Sequence, residues 1–476
     1  MAVAIGLLLP ATMAGQTPDR QSDAGNVEAA KSPDTTAQQP PYPEQKPQYP
    51  GAPPTKGKLE GTMGPLKLRF YGTLLLNISV SDSAEVGQDV PLWAAPGAGT
   101  VTFPDGTPRR AGTIHDTIFT ARQSLFGFTF SPASPPSSGW TPSGVLEFDF
   151  FGSRPSDALQ PQGRVLNQPR LRLAYFQLEK GSWKIVAGQD KMIIAPLDPV
   201  SLSHVAIPLG ATAGNLWGWL PQARVDVTHN LTEKTSTLFQ FGVLRPLFGD
   251  PRLVPSVPPS PGIAGELPPA GTAVDGAFSG YGERSSSPFY QARIAISHPM
   301  AGSTATIGAG AHYGRERIGA DRTLDSWAFA FDYNIPLHSR VILRGEGFLG
   351  SNLIPFQGGV LQGVAASPLT PRFTTINRIG SGGGWGELTL RATEDNKNIF
   401  YLGGGTDDPE DRKLLAGTVR EKNSFAWVSY FRKLTNEVTL AFEWSNWQFR
   451  TKSFPSGSKG PSGRGNVFNI SLAYQF

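Results

Sequence analysis

The last eight residues of the chain, NISLAYQF, alternate between apolar side chains and small or polar ones. Successive side chains of a β-strand point to opposite faces of a sheet, so this period of two predicts a strand with one apolar face. The same pattern would suit a strand of a soluble sheet. The rest of the sequence has to show whether the apolar face meets a protein core or lipid. The apolar set of this terminal strand is Phe468, Ile470, Leu472, Tyr474 and Phe476.

Short alternating segments recur from Leu66 to the end of the chain, and almost nothing between them has the periodicity of an amphipathic helix. In the first segment Leu, Phe, Ile and Val alternate with polar residues such as Thr73 and Asn77. The pattern therefore predicts an all-β fold. The sixteen predicted strands are 66–80, 118–131, 144–152, 170–178, 182–190, 221–229, 234–246, 288–298, 302–314, 324–335, 340–350, 384–393, 398–404, 422–433, 436–450 and 464–476.

Connection lengths alternate along the chain. Connections after even-numbered strands are mostly short, such as EKGS at 179–182, whereas those after odd-numbered strands are mostly long, such as 81–117 and 247–287. Barrels that span the bacterial outer membrane have short periplasmic turns and long extracellular loops. We therefore predict a transmembrane antiparallel β-barrel of about 16 strands over residues 58–476, with Leu, Ile, Val and Phe facing lipid and every backbone group paired in a closed sheet.

Aromatic residues near the strand ends suit the two interfaces between membrane and water. The alternative is that aromatic residues are simply good strand formers. The predicted interfacial set is Tyr71, Tyr175, Trp183, Trp327, Tyr333, Trp444, Trp447, Tyr474 and Phe476.

Composition excludes several classes of protein. The chain of 476 residues has no cysteine, which excludes disulfides, thiolate metal sites and cysteine nucleophiles. A net charge of +4 with only 17% charged residues is too dilute for a nucleic-acid-binding surface. No run of 18 apolar residues occurs, so no transmembrane helix is predicted.

The first 57 residues differ from the predicted barrel. Residues 1–14 are apolar and end in small residues, which predicts a signal peptide cleaved after Ala14; the alternative is a slightly apolar disordered terminus. This segment lacks the usual basic start, so we expect the true N-terminus to lie upstream. Residues 15–57 are rich in Pro and Gln and predict a disordered periplasmic tether.

Alternation also assigns charges to the inner face of the barrel. The predicted basic residues of the pore lining are Lys67, Arg69, Arg170, Arg172, Lys184, Arg224, Arg293, Arg344 and Arg391. The acidic ones are Glu147, Asp149 and Glu346, together with Asp226, Asp332 and Glu387. The excess of basic residues predicts a mild preference for anions.

A structural role for some of these charges competes with a role in permeation. One hairpin register places Glu147 opposite Arg172 and Asp149 opposite Arg170, as ion pairs that brace the wall. The alternative is a free ladder of arginines for solutes. Arg69, Arg293 and Arg344 have fewer obvious partners, and we expect them to guide anions.

The connection at 191–220 is unusually apolar for an extracellular loop. Folding into the barrel as a constriction would explain this composition, and so would packing at a subunit contact. In the first case Asp198, Ser201, Ser203 and His204 are candidates for the constriction. The connection at 247–287 is rich in Pro and Gly and predicts a surface loop.

An enzyme is the alternative function. Glu147 and Asp149 form a carboxylate pair on one strand face, as in a secreted or outer-membrane β-rich hydrolase. The sequence has neither an H-E-x-x-H zinc motif nor a G-x-S-x-G nucleophile elbow. The glycine-rich GSGGGWGE at 380–387 lacks the lysine of a phosphate-binding loop and predicts a loop leading into a strand. We therefore predict no enzymatic activity, no cofactor and no metal.

Seven stretches resemble the outer-membrane porins, and most closely the DcaP-like porins. They are KLRFYG, GVLEFDFFG, RLRLAYFQL, WKIVAGQDK, LPQARVDV, RGEGFLGSN and NISLAYQF, spread over residues 66–476. The resemblance implies a homotrimer in the outer membrane that passes small hydrophilic, preferably anionic solutes such as dicarboxylates. It also implies an inward-folded loop after strand five and a terminal aromatic strand that the barrel-insertion machinery recognises. The coiled-coil segment typical of that family is missing here, because residues 15–57 show no heptads.

Overall fold

A computed structural model shows one antiparallel sheet that closes on itself. The residues it describes are 59–87, 89–103, 105–134, 136–152, 167–247, 282–319, 322–366, 376–410, 417–454 and 458–476. The predicted signal peptide and tether at 1–57, and most of the predicted surface loop at 247–287, lie outside these residues. No helix in the described part of the chain is long and apolar enough to cross a membrane.

Sixteen strands form the barrel in the described residues, which confirms the predicted number and type. They are β1 (Leu66–Ser81), β2 (Asp116–Thr120 and Leu125–Pro132), β3 (Thr141–Gly152), β4 (Gln168–Lys180), β5 (Trp183–Lys191), β6 (Trp219–Asn230), β7 (Ser236–Leu244), β8 (Phe289–Met300), β9 (Ser303–Gly319), β10 (Arg322–His338), β11 (Val341–Ser351), β12 (Gly380–Arg391), β13 (Asn398–Pro409), β14 (Gly417–Lys433), β15 (Val438–Phe454) and β16 (Lys459–Gln475). Each strand pairs with the next, and β16 pairs with β1 to close the barrel.

Short elements occupy the connections after odd-numbered strands, apart from the strand Glu60–Met63, which pairs with the start of β1. The others are strands Glu85–Val86, Trp93–Ala94, Thr100–Thr102, Pro108–Arg110, Val364–Ala366 and Ile376–Arg378, the 3₁₀ helices Ala111–Thr113, Glu283–Ser285 and Ile354–Phe356, and the helical turn Gly358–Leu361. Most connections after even-numbered strands are tight, such as 181–182, 301–302 and 339–340. The barrel therefore has turns at one end and mostly longer loops at the other.

Several strands extend a few residues beyond their predicted bounds, and two predictions differ from the structure in kind. β2 is interrupted at 121–124, where the sequence alternation predicts one continuous strand. β12 begins at Gly380, so the glycine-rich segment predicted as a loop belongs to the wall. Glycine has low strand propensity and hides a strand from pattern analysis, but neighbouring strands can hold it in a sheet by hydrogen bonding on both sides.

The two faces of the terminal strand confirm its predicted alternation. Phe468, Ile470, Leu472 and Tyr474 are 43–54% exposed on the outside of the barrel. The residues between them, from Val467 to Ala473, are almost fully buried inside. Large apolar side chains are exposed in the same way on the outer face of most other strands, which is the arrangement expected of a wall that contacts lipid.

A β-bulge in β4 changes the predicted register of one hairpin. Arg170 is opposite Asp149 as predicted, but the ladder shifts between Leu171 and Leu173, so Glu147 is opposite Leu173 rather than Arg172. Leu173, predicted to face lipid, is therefore buried inside. The extra residue of a bulge lets two consecutive side chains point to the same face, which strict alternation does not foresee.

The predicted aromatic interface is partly wrong. Tyr71 and Trp447 are buried inside the barrel, whereas Trp183 and Tyr474 are exposed outside. Tyr71 shares the inner face of β1 with Thr73, and its hydroxyl donates a hydrogen bond to Glu147 at 3.0 Å.

An aromatic cluster covers the outer face of β1, β2 and β3 and contacts the C-terminal residue. The ring of Phe476 lies 5.4 Å from that of Phe70 and 6.2 Å from that of Phe126, measured between centroids. The Phe476 backbone also exchanges two hydrogen bonds of 3.2 Å with Gly72. The final residue is thus an integral part of the seam that closes the barrel.

Candidate functional site

The connection between β5 and β6, here called the inner loop (192–218), lies inside the barrel. Nearly all of its residues are buried. Ile193 and Ile194 join an apolar cluster with wall residues such as Phe289, and Leu202 joins a second one with wall residues such as Leu75. This packing explains the apolar composition that was unexpected for an extracellular loop, and it places the segment in the lumen.

Side chains of the wall bind the backbone of the inner loop on one side. The Leu197 amide donates to Glu346 Oε1 at 2.6 Å, and the Val200 amide donates to Glu387 Oε2 at 2.7 Å. Both carboxylates project inward, from β11 and β12. Two buried hydrogen bonds therefore attach this side of the loop to the wall.

Gln123 holds the other side of the inner loop. Its Oε1 accepts the amides of Val205 at 2.8 Å and Ala206 at 3.0 Å, and its Nε2 donates to the Ser203 carbonyl at 2.8 Å. Gln123 lies in the interruption of β2, where the chain leaves the ladder and the side chain is free to reach the loop. The inner loop is therefore fixed between β2 on one side of the lumen and β11 and β12 on the other.

The four constriction candidates are all buried, and each has polar partners. Asp198 binds Lys191 Nζ at 2.5 Å and Asn215 Nδ2 at 3.2 Å. Ser203 contacts Ser201 Oγ at 3.0 Å and His204 Nδ1 at 2.9 Å, and its hydroxyl donates to Glu443 of β15. The structure thus brings the four into two polar clusters that also attach the loop.

Arg170 and Arg172 form a network with Glu147 and Asp149. Arg172 Nε lies 2.7 Å from Glu147 Oε1, and its Nη1 lies 3.1 Å from Asp149 Oδ2. Arg170 Nη2 lies 2.6 Å from the same Asp149 oxygen. The ion pairs predicted to brace this hairpin are present, and these carboxylates are not arranged as a free hydrolytic pair.

Aromatic rings lie against the guanidinium groups of this network and of the neighbouring Arg122. Trp219 lies under Arg170 and Arg172, with ring centroids 5.1 and 4.6 Å from their Cζ atoms. Phe151 lies 3.9 Å from Cζ of Arg122, which also pairs with Asp89. Sequence alternation missed Arg122, because it lies in the interruption of a strand predicted to be continuous.

Most other predicted basic residues have acidic partners too. Arg293 and Arg344, which have fewer obvious partners in the sequence, both have one in the structure: Arg293 Nη2 lies 2.7 Å from Asp332, and Arg344 Nε lies 3.7 Å from Glu387. The remaining contacts are Lys67 to Glu60 at 2.9 Å, Lys184 to Glu179 at 2.9 Å, Arg224 to Asp190 and Asp226 at 3.0 Å each, and Arg391 to the Ser339 carbonyl at 3.2 Å.

Arg69 is the exception in this set. Its Nε and Nη2 atoms are shielded from solvent and have no hydrogen-bond partner among the described residues. It is next to the inward-facing Tyr71 on β1, towards the periplasmic end. Two donors of the Arg69 guanidinium are thus unused, and Glu60 lies opposite Arg69 in the short ladder at the start of β1.

The connection after β1 packs onto the inner loop from the extracellular side. The Leu92 carbonyl accepts Thr212 Oγ1 at 3.0 Å and Asn423 Nδ2 at 2.7 Å. Nearby, Ser83 Oγ donates to Glu85 Oε1 at 3.0 Å. Burial raises the pKa of the Glu85 carboxyl to about 8, and the nearby Asp82 adds to the shift, so the folded connection favours the neutral acid.

This connection is expected to loosen as the pH rises. Because the folded pKa of Glu85 lies above the unfolded value of about 4.5, its contribution to docking is fully present below that value and is lost as the pH rises through about 8. Hydrogen exchange over residues 83–86, corrected for the intrinsic rate, should show less protection at pH 9 than at pH 5. Glu85→Gln should remove most of that difference, and equal protection of the unmodified protein at both pH values would contradict the prediction.

Comparison with known proteins gives matches at the level of structure. Neither a family model nor a curated protein matches the sequence. The crystal structure of the outer membrane channel DcaP of Acinetobacter baumannii matches with a TM-score of 0.59 and 16% identity, covering 87% of this chain and 99% of that one. The anion-selective porin from Comamonas acidovorans matches at 0.48 and 8% identity, covering 86% and 100%.

The first match shares the fold of the barrel described above over 87% of the chain. Glu147 and Asp149, the two carboxylates of the hydrolase alternative, are both paired with arginines. The outward apolar faces fit a wall in contact with lipid. The chain is a closed sixteen-stranded β-barrel with the fold of the outer membrane channel DcaP.

Proposed function

We propose that the protein conducts small hydrophilic solutes passively across the outer membrane, with a mild preference for anions such as dicarboxylates. The observation that carries this proposal is the inner loop, which is fixed across the lumen of a sixteen-stranded barrel. A barrel of this size leaves an aqueous channel, and a loop across it narrows the path for solutes. The loop thus acts as the size filter.

The anion preference rests on a smaller set of charges than the sequence suggests. Most inward arginines are compensated by carboxylates, so they brace the wall and contribute little net field. Arg69 has unused donors, and the carbonyl-bound Arg391 has no acidic partner among the described contacts. Both lie near the periplasmic mouth, where we expect them to attract anions.

Single-channel recording in planar bilayers tests the function directly. We expect stepwise conductance, and in a salt gradient a reversal potential displaced towards the value for anions. Absence of channels from correctly folded protein would overturn the porin proposal. A cation preference would overturn only the assignment of selectivity to the arginines.

Arg69→Gln tests that assignment at one residue. Loss of one positive charge at the mouth should roughly halve the ratio of anion to cation permeability, measured by reversal potential in a salt gradient. Arg315→Gln is the control, since Arg315 is exposed on the outer face of β9 and should leave the ratio unchanged. An unchanged ratio in Arg69→Gln would place the selectivity elsewhere in the lumen.

We also propose a homotrimer that associates through the aromatic cluster outside β1, β2 and β3. Exposed aromatic surface of this kind is favoured at protein interfaces. The terminal strand, with Phe476 in that cluster, is the proposed recognition element for barrel insertion. Native mass spectrometry of the detergent-solubilised protein tests the trimer, and the yield of folded Phe476→Ala tests the recognition.

A further inference from the structure

Arg420 projects into the lumen at the extracellular end of β14. It lies opposite Thr451 in the ladder with β15, and Thr451 is buried on the inner face. Residues opposite each other in a ladder share a face of the sheet. After the bulge that follows Arg420, Lys422 lies on the outer face, where it pairs with Asp408. Arg420 precedes the predicted start of this strand at 422, so alternation does not assign it to the lumen.

Two extracellular connections and one strand hold Arg420 in place. Its Nη2 donates to the Leu361 carbonyl at 2.8 Å, and its backbone amide donates to Gln362 Oε1 at 3.1 Å, both in the connection after β11. From the connection after β1, the Trp93 ring lies with its centroid 5.6 Å from the Arg420 Cζ, within the range of a cation–π contact. Phe449 of β15 stacks on the Trp93 ring, with centroids 5.6 Å apart. The guanidinium therefore has a fixed position at the extracellular mouth.

The turn that presents the Leu361 carbonyl is strained. Val360 and Leu361 both have left-handed backbone angles, with φ of 50° and 57°. A β-branched residue such as Val360 rarely adopts this conformation. Asp407 holds the turn from the other side, since its Oδ2 accepts the Val360 amide at 3.2 Å and its Oδ1 accepts the Ser381 hydroxyl. Strained backbone persists only where the surrounding structure fixes it, and it is concentrated at functional sites.

No carboxylate among the described residues pairs with the Arg420 guanidinium. Asp407 is bound to the turn, and neither it nor the neighbouring Glu421 forms an ion pair with Arg420. Arg420 is half-buried, and its Nε is shielded from solvent without a hydrogen-bond partner in this part of the chain. Taking a cation out of water without a counter-charge is unfavourable, so such a group favours binding of an anion. Inward arginines that do have acidic partners include Arg122, Arg224 and Arg293.

We propose that Arg420 is an extracellular entrance site for the carboxylate group of a small solute. Such a site rests on the conduction proposed above, and it lies at the end of the pore opposite to Arg69 and Arg391. Of the five N–H donors of the guanidinium, one binds the Leu361 carbonyl and the described residues use no other. Charge-assisted hydrogen bonds to a carboxylate are strong, and a fixed charge at the mouth raises the local concentration of entering anions.

Fluorine NMR of the detergent-solubilised protein labelled with fluorotryptophan tests binding without requiring conduction. The resonance missing from Trp93→Phe identifies Trp93, which contacts Arg420. The probes are succinate and succinamide, which share a carbon chain and differ in charge. We expect a saturable shift of the Trp93 resonance with succinate and none with succinamide. Arg420→Gln should weaken succinate binding about tenfold, the loss of one hydrogen bond to a charged group.

Arg315→Gln is the matched control, because Arg315 is exposed on the outer face of β9. Succinate binding by Arg420→Gln equal to that of Arg315→Gln would overturn the proposal. An equal shift with succinamide in the unmodified protein would also overturn it. This second comparison needs no variant, so it decides the matter even where Arg420→Gln folds poorly, as judged by heat-modifiable gel mobility.

Planar-bilayer recording separates failure of this site from failure of the proposed function. At about 0.1 M salt, where charges at the mouth are weakly screened, Arg420→Gln should change the ratio of the currents at the two polarities about twofold. An unchanged ratio would overturn the role of Arg420 in solute entrance. Absence of channels together with a normal succinate titration would overturn only the proposed conduction, whereas channels without a Trp93 shift would overturn only the entrance site.

Discussion

Replacing Arg172 by methionine is expected to lower the free energy of unfolding of the barrel by about 3–5 kcal/mol, the cost of removing one partner from a buried ion pair. The Arg172 side chain is fully buried and compensates both Glu147 and Asp149. It also holds the inner loop, since Nη1 donates to the Val205 carbonyl at 3.0 Å. Urea unfolding of the detergent-solubilised protein, followed by tryptophan fluorescence, measures the change.

Arg315→Gln is a suitable control for that experiment. Arg315 and Asp325 form an ion pair whose side chains are 44% and 38% exposed, and such pairs contribute at most about 1 kcal/mol. A similar loss for both variants would show that burial of the Arg172 network contributes nothing beyond a surface pair.

Shortening the inner loop is expected to raise single-channel conductance at least about threefold, because a sixteen-stranded barrel without an internal loop holds a wide aqueous channel. Replacing residues 197–213 by a short Gly-Ser linker removes the groups bound by Glu346, Glu387 and Gln123. Planar-bilayer recording measures the conductance. The variant should also lose stability, because apolar contacts such as those of Leu202 are removed.

The control for loop length is the exposed hairpin formed by Thr100–Thr102 and Pro108–Arg110. Shortening it removes a similar element from the connection after β1 without touching the inner loop, and conductance should not change. If the shortened inner loop conducts like the unmodified protein, the inner loop is not the constriction.

Sequence patterns predict those parts of the fold that depend on local alternation. The number of strands, the outward apolar faces and the alternation of short and long connections are all visible as period-two segments. The inner loop was found because its composition conflicts with exposure to water. Each of these signals lies within one segment or one connection of the chain.

Features created by contacts distant in sequence were not predicted. The bulge after Leu171 and the interruption at 121–124 break the period of two. Strict alternation therefore gave the wrong ladder position for Glu147 and missed Arg122 and Gln123. Arg293 looked free because its partner, Asp332, is two strands away. The segment Gly380–Arg391 was assigned partly to a loop. Its glycines have no side chains, so they show no alternation of apolar and polar residues.

The way the inner loop is attached has a consequence for redesign of the permeation path. Glu346, Glu387 and Gln123 bind backbone amides, which every residue except proline offers. These hydrogen bonds therefore fix the position of the main chain but place little restriction on which residue occupies each bound position. Substitutions at loop side chains outside the apolar clusters should alter the chemistry of the narrow region while its geometry is kept, so the barrel is a scaffold on which solute preference and pore size are separately adjustable.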